Sequence, residues 1–298
     1  MTDYHQSHIE TFMTCPERYR RRYRDGGPRI EENNASNLIG TAEHLMLEQA
    51  ALALRDHGEI TSVEQNVSVA LANFERLVAE DGRGPNPIPW EAGALDARTA
   101  DVRRLAEVWT DTLPRIWDAY GAPREVEYAF DRLAIPGGLH TISGTADVLT
   151  ERNVLIDWKN TRSGWGWAKG KGQKKIQRVF YSAGIAHGAV DLWPQQFVFV
   201  VGERTLLKKE QRTRYAVRQY PIDTDPQREW EFLIRLVNDY GEQEAAGIFP
   251  LNTSSGLCSV EWCPFWSTCP ASALDPTATA EGGGENEQAN GRADPAAG

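Results

Sequence analysis

Asp147, Asp157 and Lys159 are the residues whose types and spacing could together do chemistry. Asp147 lies near the end of a strand-like run, Ser-Gly-Thr-Ala-Asp-Val, and Asp157-Trp158-Lys159 closes the next, Val154 to Trp158. Along a strand, residues i and i+2 share a face, so Asp157 and Lys159 project together, and a hairpin partner can set Asp147 beside them. Two neighbouring carboxylates repel unless a cation lies between them, and hard oxygen donors suit Mg²⁺ or Mn²⁺. A lysine on the same face can orient or help deprotonate the water that attacks a phosphodiester. Taken alone the triplet is short, and an edge strand with ordinary solvent-facing charges also explains it.

A second group is made of thiols. The chain has four cysteines, Cys15 near its start and Cys258, Cys263 and Cys269 near its end. Three thiols so close in sequence can converge on one centre, with Cys15 as a fourth if the fold brings the two ends together. Thiolates select soft or borderline metals, which leaves an iron–sulfur cluster or zinc. Zinc sites usually show paired arms with two to four residues between the cysteines, whereas the split here is one plus three, with Cys258-x₄-Cys263 as the one arm of that spacing. A centre of this kind would close a long loop and act as a structural staple.

The net charge of −10 argues against a nucleic-acid partner when read globally, but local charge decides phosphate binding. Between Trp158 and Val190 stand Lys159, Arg162, Lys169, Lys171, Lys174, Lys175 and Arg178 without a single acid. Trp165 and Trp167 interleave with Lys169 and Lys171 in a glycine-rich loop, suited to stacking unpaired bases beside a phosphate-tracking groove. Lys174, Lys175 and Arg178 extend that candidate DNA-binding stretch. A second basic cluster is Arg18, Arg20, Arg21, Arg22 and Arg24.

The elements that must position these groups can be read from periodicity. Ser7 and Glu10 fit a capping box for a helix starting near His8, and Pro16 suits the first turn of a second short helix holding the arginines. Leu38–Arg55 and Val67–Glu80 are amphipathic, and Leu95–Tyr120 reads as a long helix interrupted near Pro114. Beyond Pro123, Val126, Tyr128 and Phe130 alternate, and Thr141–Leu149 and Val154–Trp158 follow as strands. Gln173–His187 reads as a helix, Phe197–Val201 and Arg214–Tyr220 as strands, and Asp225–Ala246 as a closing helix. The expected fold class is α/β: a mixed central sheet flanked by helices, with a helical N-terminal part (1–122), an α/β core (123–250) and a cysteine-stapled C-terminus (251–270). Residues 271–298 are expected to be a disordered acidic tail.

The set resembles the PD-(D/E)XK nucleases with their restriction-endonuclease-like fold, in particular the RecB-type exonuclease branch. The resemblance rests on Gly144-x-x-Asp147, the run Ile156-Asp157-Trp158-Lys159, and Gln177-x-x-x-Tyr181. Upstream, Gly40-Thr41-Ala42-Glu43-His44 and Ser7-x₄-Phe12-x-x-Cys15-Pro16-x-x-Tyr19 match in the right order, as do Cys263 and Cys269-Pro270 at the end. Within that branch the chain is most similar to stand-alone CRISPR-associated RecB-like exonucleases and their phage relatives. The resemblance implies that His44, Asp147, Asp157 and the carbonyl of Trp158 hold a divalent metal, that Lys159 is the catalytic lysine, and that Gln177 and Tyr181 hold DNA or the lysine. Glu127 would be an accessory acid. It further implies a 4Fe–4S cluster on Cys15, Cys258, Cys263 and Cys269, although four residues part Cys258 from Cys263 where two are usual in the branch.

The activity so implied is a Mg²⁺- or Mn²⁺-dependent DNA exonuclease working from single-stranded ends, in recombination, replication, repair or CRISPR-type processing. A metal-stapled adaptor that binds DNA ends without cutting them is the alternative. No phosphate-binding loop of a helicase occurs, so a motor, recombination or CRISPR integration partner would be a separate chain. No run approaches the ~20 apolar residues of a membrane span, and a cytoplasmic location is expected.

Overall fold

The computed structural model describes residues 2–27, 35–84, 87–162, 170, 172, 175–189, 192–207, 210, 212–259 and 263–274. The chain divides into two compact units, Met1–Ile9 with Glu31–Glu242, and Glu10–Ile30 with Gln243–Gly298.

The first unit is a mixed α/β sheet with helices against it, as expected. Its strands are β1 (Thr2–Tyr4), β2 (Pro123–Ala134), β3 (His140–Thr150), β4 (Val154–Thr161), β5 (Gln196–Leu207) and β6 (Arg212–Asp223). The order is β1-β3-β4-β5-β6, with β2 pairing antiparallel to β3 off that path. β4 and β5 run parallel, and β5 and β6 form a long antiparallel pair. The three-residue β1, too short to leave a periodic signal, pairs parallel with His140–Ile142.

Helices α3 (Ala35–His57), α4 (Val63–Asp81) and α5 (Ala94–Tyr120) share one core with Val126, Val148, Ile156, Trp158, Val198 and Val200 of the sheet. α4 starts on a complete capping box, with Ser62 Oγ accepting from Gln65 N at 3.2 Å and Gln65 Oε1 accepting from Ser62 N at 2.7 Å. α5 corrects the expected break at Pro114, for it continues through the proline to Tyr120. Its buried stripe of Leu105, Trp109, Leu113, Ile116 and Trp117 outweighs the one backbone hydrogen bond that proline removes. Trp109 is wholly buried, edge-on to Trp158 at 5.7 Å, and a Cβ at Gly202 would lie 2.8 Å from its indole nitrogen. That close approach seats α5 on β5.

On the other side α6 (Ile176–Gly188), with Lys175 at its N-cap, packs on β2 and β3, with Phe180 against Phe130 at 5.6 Å; its expected start at Gln173 lies outside the described residues. A Cβ at Gly144 would lie 2.9 Å from both the Phe130 and Phe180 rings and 3.1 Å from Tyr181. Only glycine lets α6 lie this close to β3. α7 spans Pro226–Ala245 and buries Trp230, Leu233 and Val237. Among the described residues no helix is long and apolar enough to cross a membrane.

The N-terminal helix α1 is Gln6–Thr14, so it begins before the Ser7 expected to cap it. In the second unit α2 (Pro16–Tyr19) starts on Pro16 as expected, then widens into a π-helix over Arg20–Arg24. Pro270–Leu274 form a 3-10 turn in which Ala271 is buried, so ordered chain continues past the expected start of the tail. Residues 275–298, the rest of that tail, lie outside the described residues.

Candidate metal centre

The sheet opens where the acidic residues stand. β3 pairs with β4 only at Val148↔Ile156 and Leu149↔Leu155, and with β1 only at its far end, so residues 143–147 face no strand on that edge among the described residues. β4 continues to Thr161 against β5 alone. The backbone N–H of Trp158 would otherwise lack a partner; it donates to Asp147 Oδ2 at 2.8 Å. The carboxylate thus takes the place of a ladder bond and is fixed in the gap between two diverging strands.

Around it gather residues from three elements. His44, on α3, has Nε2 3.6 Å from Asp147 Oδ1 and 3.3 Å from Glu127 Oε1. Among the described residues, His44, Glu127 and Asp147 are the set of metal-ligand side chains whose donor atoms all lie within 4.8 Å of one another. Asp157 is outside that set. It is buried behind it, with Oδ2 2.7 Å from Lys159 Nζ, while Oδ1 is buried and meets no hydrogen-bond partner among the described residues. Asp157 and Lys159 share a face, as their i, i+2 spacing demands.

Glu127 has a larger part than its sequence context indicates. Alternation puts Val126, Tyr128 and Phe130 on one face, which gives no reason for Glu127 to reach a metal. The register Val126↔Val148 and Tyr128↔Ala146 sets Glu127 across from Asp147, and its φ of 50° is left-handed. A non-glycine residue is strained there, by of order 1–3 kcal/mol, and such strain collects at functional sites. Strand period does not signal it, and the family resemblance names it only as an accessory acid.

The electrostatics fit a cation. Burial, then the charge of Asp157, pushes Asp147 up from 3.8 to about 7, against His44, Lys159 and the Trp158 N–H. Asp157 is also raised, by burial, against Lys159, His44 and Lys175. Burial lowers the His44 pKa, but Glu127, Asp147 and Asp157 outweigh it and the net direction is upward. One imidazole, two clustered carboxylates and an orphaned buried carboxylate oxygen suit a divalent ion with mainly oxygen donors.

Supporting residues surround the centre. Glu43, next to His44 and almost wholly buried, accepts from Trp109 Nε1 at 3.1 Å and Asn160 Nδ2 at 2.8 Å, tying α3 to α5 and β4. Burial pushes its carboxyl up from 4.5 to about 7. Tyr181 hydrogen-bonds Gln177, as residues four apart on one helix face can. Its pKa is raised by burial and by the charges of Asp157 and Asp147, which places it at the centre's edge. Lys175 caps α6 within electrostatic reach of Asp157. Trp158 turns its side chain into the core between Trp109 and Trp117, opposite to Asp157.

Two basic features differ from the expectation. Arg178 is half-buried in an ion pair with Glu229 of α7 instead of facing outward. In the second unit, Arg20 pairs with Glu17 and Asp25, Arg21 with Glu17, and Arg24 with Glu244, so three of that cluster's arginines are neutralised internally. Trp165, Trp167, Lys169, Lys171 and Lys174 lie outside the described residues.

Also in the second unit, Cys15, Cys258, Cys263 and Cys269 line one pocket with Arg18 and Trp266. None is in a disulfide. Burial, then the neighbouring thiols, raises the Cys258 pKa; burial raises that of Cys263 as well.

A mixed central sheet flanked by helices is consistent with the restriction-endonuclease-like fold expected from the sequence. The chain belongs to the PD-(D/E)XK nuclease superfamily, whose family model matches residues 6–270. Nucleases of this superfamily typically use Mg²⁺ or Mn²⁺ and act on DNA. A comparison with curated proteins finds no match. Among solved structures, one described as the crystal structure of SSO0001 is similar at 15% identity, covering 89% of this chain and 93% of that one, with a TM-score of 0.30.

Proposed function

We propose that the chain is a DNA exonuclease of the RecB type that uses Mn²⁺ or Mg²⁺ and works on single-stranded ends. The observation that carries this is the convergence of His44, Glu127 and Asp147 beside the Asp157–Lys159 pair, at the opening between β3 and β4. His44, Glu127 and Asp147 would hold the ion, with Asp157 Oδ1 and the Trp158 carbonyl as further ligands. A divalent ion there supplies neutralisation of the charge that builds on the phosphate and a lower pKa for the attacking water.

The chain's own groups do the rest. Asp157 Oδ2, 2.7 Å from Lys159 Nζ, aims the lysine, so that its side chain orients the nucleophilic water and offsets the charge that builds at phosphorus. Tyr181, linked to Gln177, presents a hydroxyl beside the same space and can hold a phosphate oxygen of the strand. Lys175, and Lys169, Lys171 and Lys174 with Trp165 and Trp167, would track the phosphates and stack unpaired bases.

The four cysteines would carry a structural 4Fe–4S cluster, or zinc, that closes the ends of a single nuclease domain over residues 1–270. Their convergence on one pocket supports a shared metal centre. A phage or CRISPR setting, and a helicase or integration partner, follow from the branch it resembles.

The test is cleavage of end-labelled linear and closed-circular single strands in Mn²⁺ or Mg²⁺ by wild type, Asp147→Ala and Lys159→Ala. Degradation of linear strands alone, lost in both variants, is expected. Activity retained in both variants refutes the centre, and equal cleavage of circles refutes the exonuclease reading.

A further inference from the structure

A groove of about 520 Å³ lies next to the metal centre, on the stretch of β3 that faces no strand on one edge among the described residues. Ser7 of α1, Asp131 of β2, Ser143 and Thr145 of β3 and Tyr181 of α6 line it, all within the first unit. Thr145 is two residues from Asp147, and its ladder partner Ala129, also in the lining, is two from Glu127. Two strand residues span roughly 7 Å, so the groove opens one ladder step from the carboxylates of the centre. Tyr181 belongs to the same space, for a Cβ at Gly144, another lining residue, would lie 3.1 Å from its ring.

The far end of the groove is walled. β1 pairs parallel with β3 as far as Tyr4↔Ile142, and a straight continuation would cover Ser143 and Thr145. The chain turns into α1 instead, and His5 and Ser7 from that turn line the groove. A nucleic-acid strand that leaves the centre along this edge of β3 therefore runs into the start of α1.

Charge is divided along the same path. Lys159 stands at the centre, whereas no lysine or arginine lines the groove among the described residues. Asp131 is there instead. A register shift between Phe130 and Leu133, with Arg132 at a left-handed φ of 49°, marks a bulge of the kind that re-aims side chains. Ser143 Oγ fixes the turn, donating to Asp131 Oδ1 at 3.1 Å and accepting from Arg132 N at 2.8 Å. His5 Nε2 lies 3.6 Å from Asp3 Oδ2, so a positive imidazole there would already be matched. Hydroxyls beside an acceptor carboxylate suit the hydrogen-bond donors of an uncharged group, and a phosphate in the same place would be repelled.

We infer that this groove holds the terminal nucleotides of the strand being cut, with a free sugar hydroxyl donating to Asp131, and that it excludes a phosphate at that end. The inference rests on the nuclease reading above and goes beyond it by naming the end chemistry that the enzyme selects.

The test uses the full chain and internally labelled single-stranded oligonucleotides with either a hydroxyl or a phosphate at each terminus, in cleavage with Mn²⁺ and in binding in EDTA. At the end that is attacked, wild type should prefer hydroxyl to phosphate roughly tenfold or more in kcat/KM, the scale of a hydrogen bond to a charged group, and should bind the hydroxyl end more tightly. Asp131→Asn keeps an acceptor for Ser143 and drops the charge, so the preference should fall to about threefold or less with Tm unchanged. Ser7→Trp fills the groove from an exposed position and should lower kcat/KM for hydroxyl-ended strands about tenfold or more, again without a change in Tm. Equal handling of the two termini by wild type, a preference for phosphate, or a hydroxyl preference that survives Asp131→Asn would overturn the inference. Wild type that cuts no strand yet binds hydroxyl ends more tightly in EDTA through Asp131 would remove the nuclease reading and leave the groove's role standing. Metal-dependent cleavage indifferent to end chemistry would do the reverse.

Discussion

Replacing Asp147 by asparagine should remove activity and make the metal-free protein more stable. Burial and Asp157 raise the Asp147 pKa from 3.8 to about 7. A group raised on folding favours the folded state below its unfolded value, and that benefit is lost as pH climbs through the folded value. For Asp147 the loss runs from about pH 4 to pH 8. A rise of about three pH units at ~1.36 kcal/mol each is about 4 kcal/mol of burden on the charged, metal-free site at pH 8. The introduced carboxamide can still accept from the Trp158 N–H, but its buried NH₂ without a set partner costs ~1–2 kcal/mol. The net gain is about 2 kcal/mol, or ~4–8 °C in Tm for a chain of this size. Thermal unfolding of wild type and Asp147→Asn in EDTA, from pH 4.5 to 8, measures it. The variant should gain on wild type as pH rises, and Mn²⁺ should stabilise wild type at pH 8 but not the variant. A variant less stable than wild type at pH 8, or a difference independent of pH, would refute the argument that these carboxylates are held together for a cation.

Imidazole favours Mn²⁺ over Mg²⁺, so the half-saturating Mn²⁺ concentration for cleavage should lie well below that of Mg²⁺, and His44→Ala should narrow the gap about tenfold or more; an unchanged ratio in metal titrations excludes His44 as a ligand. Glu43→Ala leaves the Trp109 and Asn160 donors buried without their acceptor, and urea unfolding should show a loss of ~2–4 kcal/mol, with Glu43→Gln losing less; equal losses would deny the hydrogen bonds a role. Gly144→Ala drives a methyl into Phe130, Phe180 and Tyr181, so a destabilisation of ~1–3 kcal/mol with a lowered kcat is expected, whereas wild-type stability would mean that α6 does not lie on β3 this closely.

Much of the fold is legible because its elements are long and periodic. α3, α4 and α5 each bury a stripe that recurs every three to four residues, and β2 to β6 alternate or run apolar. What escapes is decided by packing over distance. Pro114 reads as a break because local chemistry says so, and only the neighbouring buried tryptophans and leucines keep α5 whole. The arginines of residues 18–24 read as free charge, yet Glu17 and the distant Glu244 neutralise three of them. Arg178 likewise meets Glu229, fifty-one residues on, in a pair no local window contains.

The centre divides along the same line. Asp157 and Lys159 share a face by strand period alone, and the hairpin brings Asp147 near, so that part needs no tertiary knowledge. Glu127 needs it entirely. Strand period turns Glu127 from the face of Val126 and Tyr128, and a left-handed backbone then decides where its carboxylate goes. The strain is tolerable because β2 is anchored on both sides of it by ladder pairs to β3. A glycine at 127 would adopt that φ without cost but carry no carboxylate. The residue is therefore kept against its own conformational preference, and it is the preference, not the chemistry, that a reading of periodicity can see.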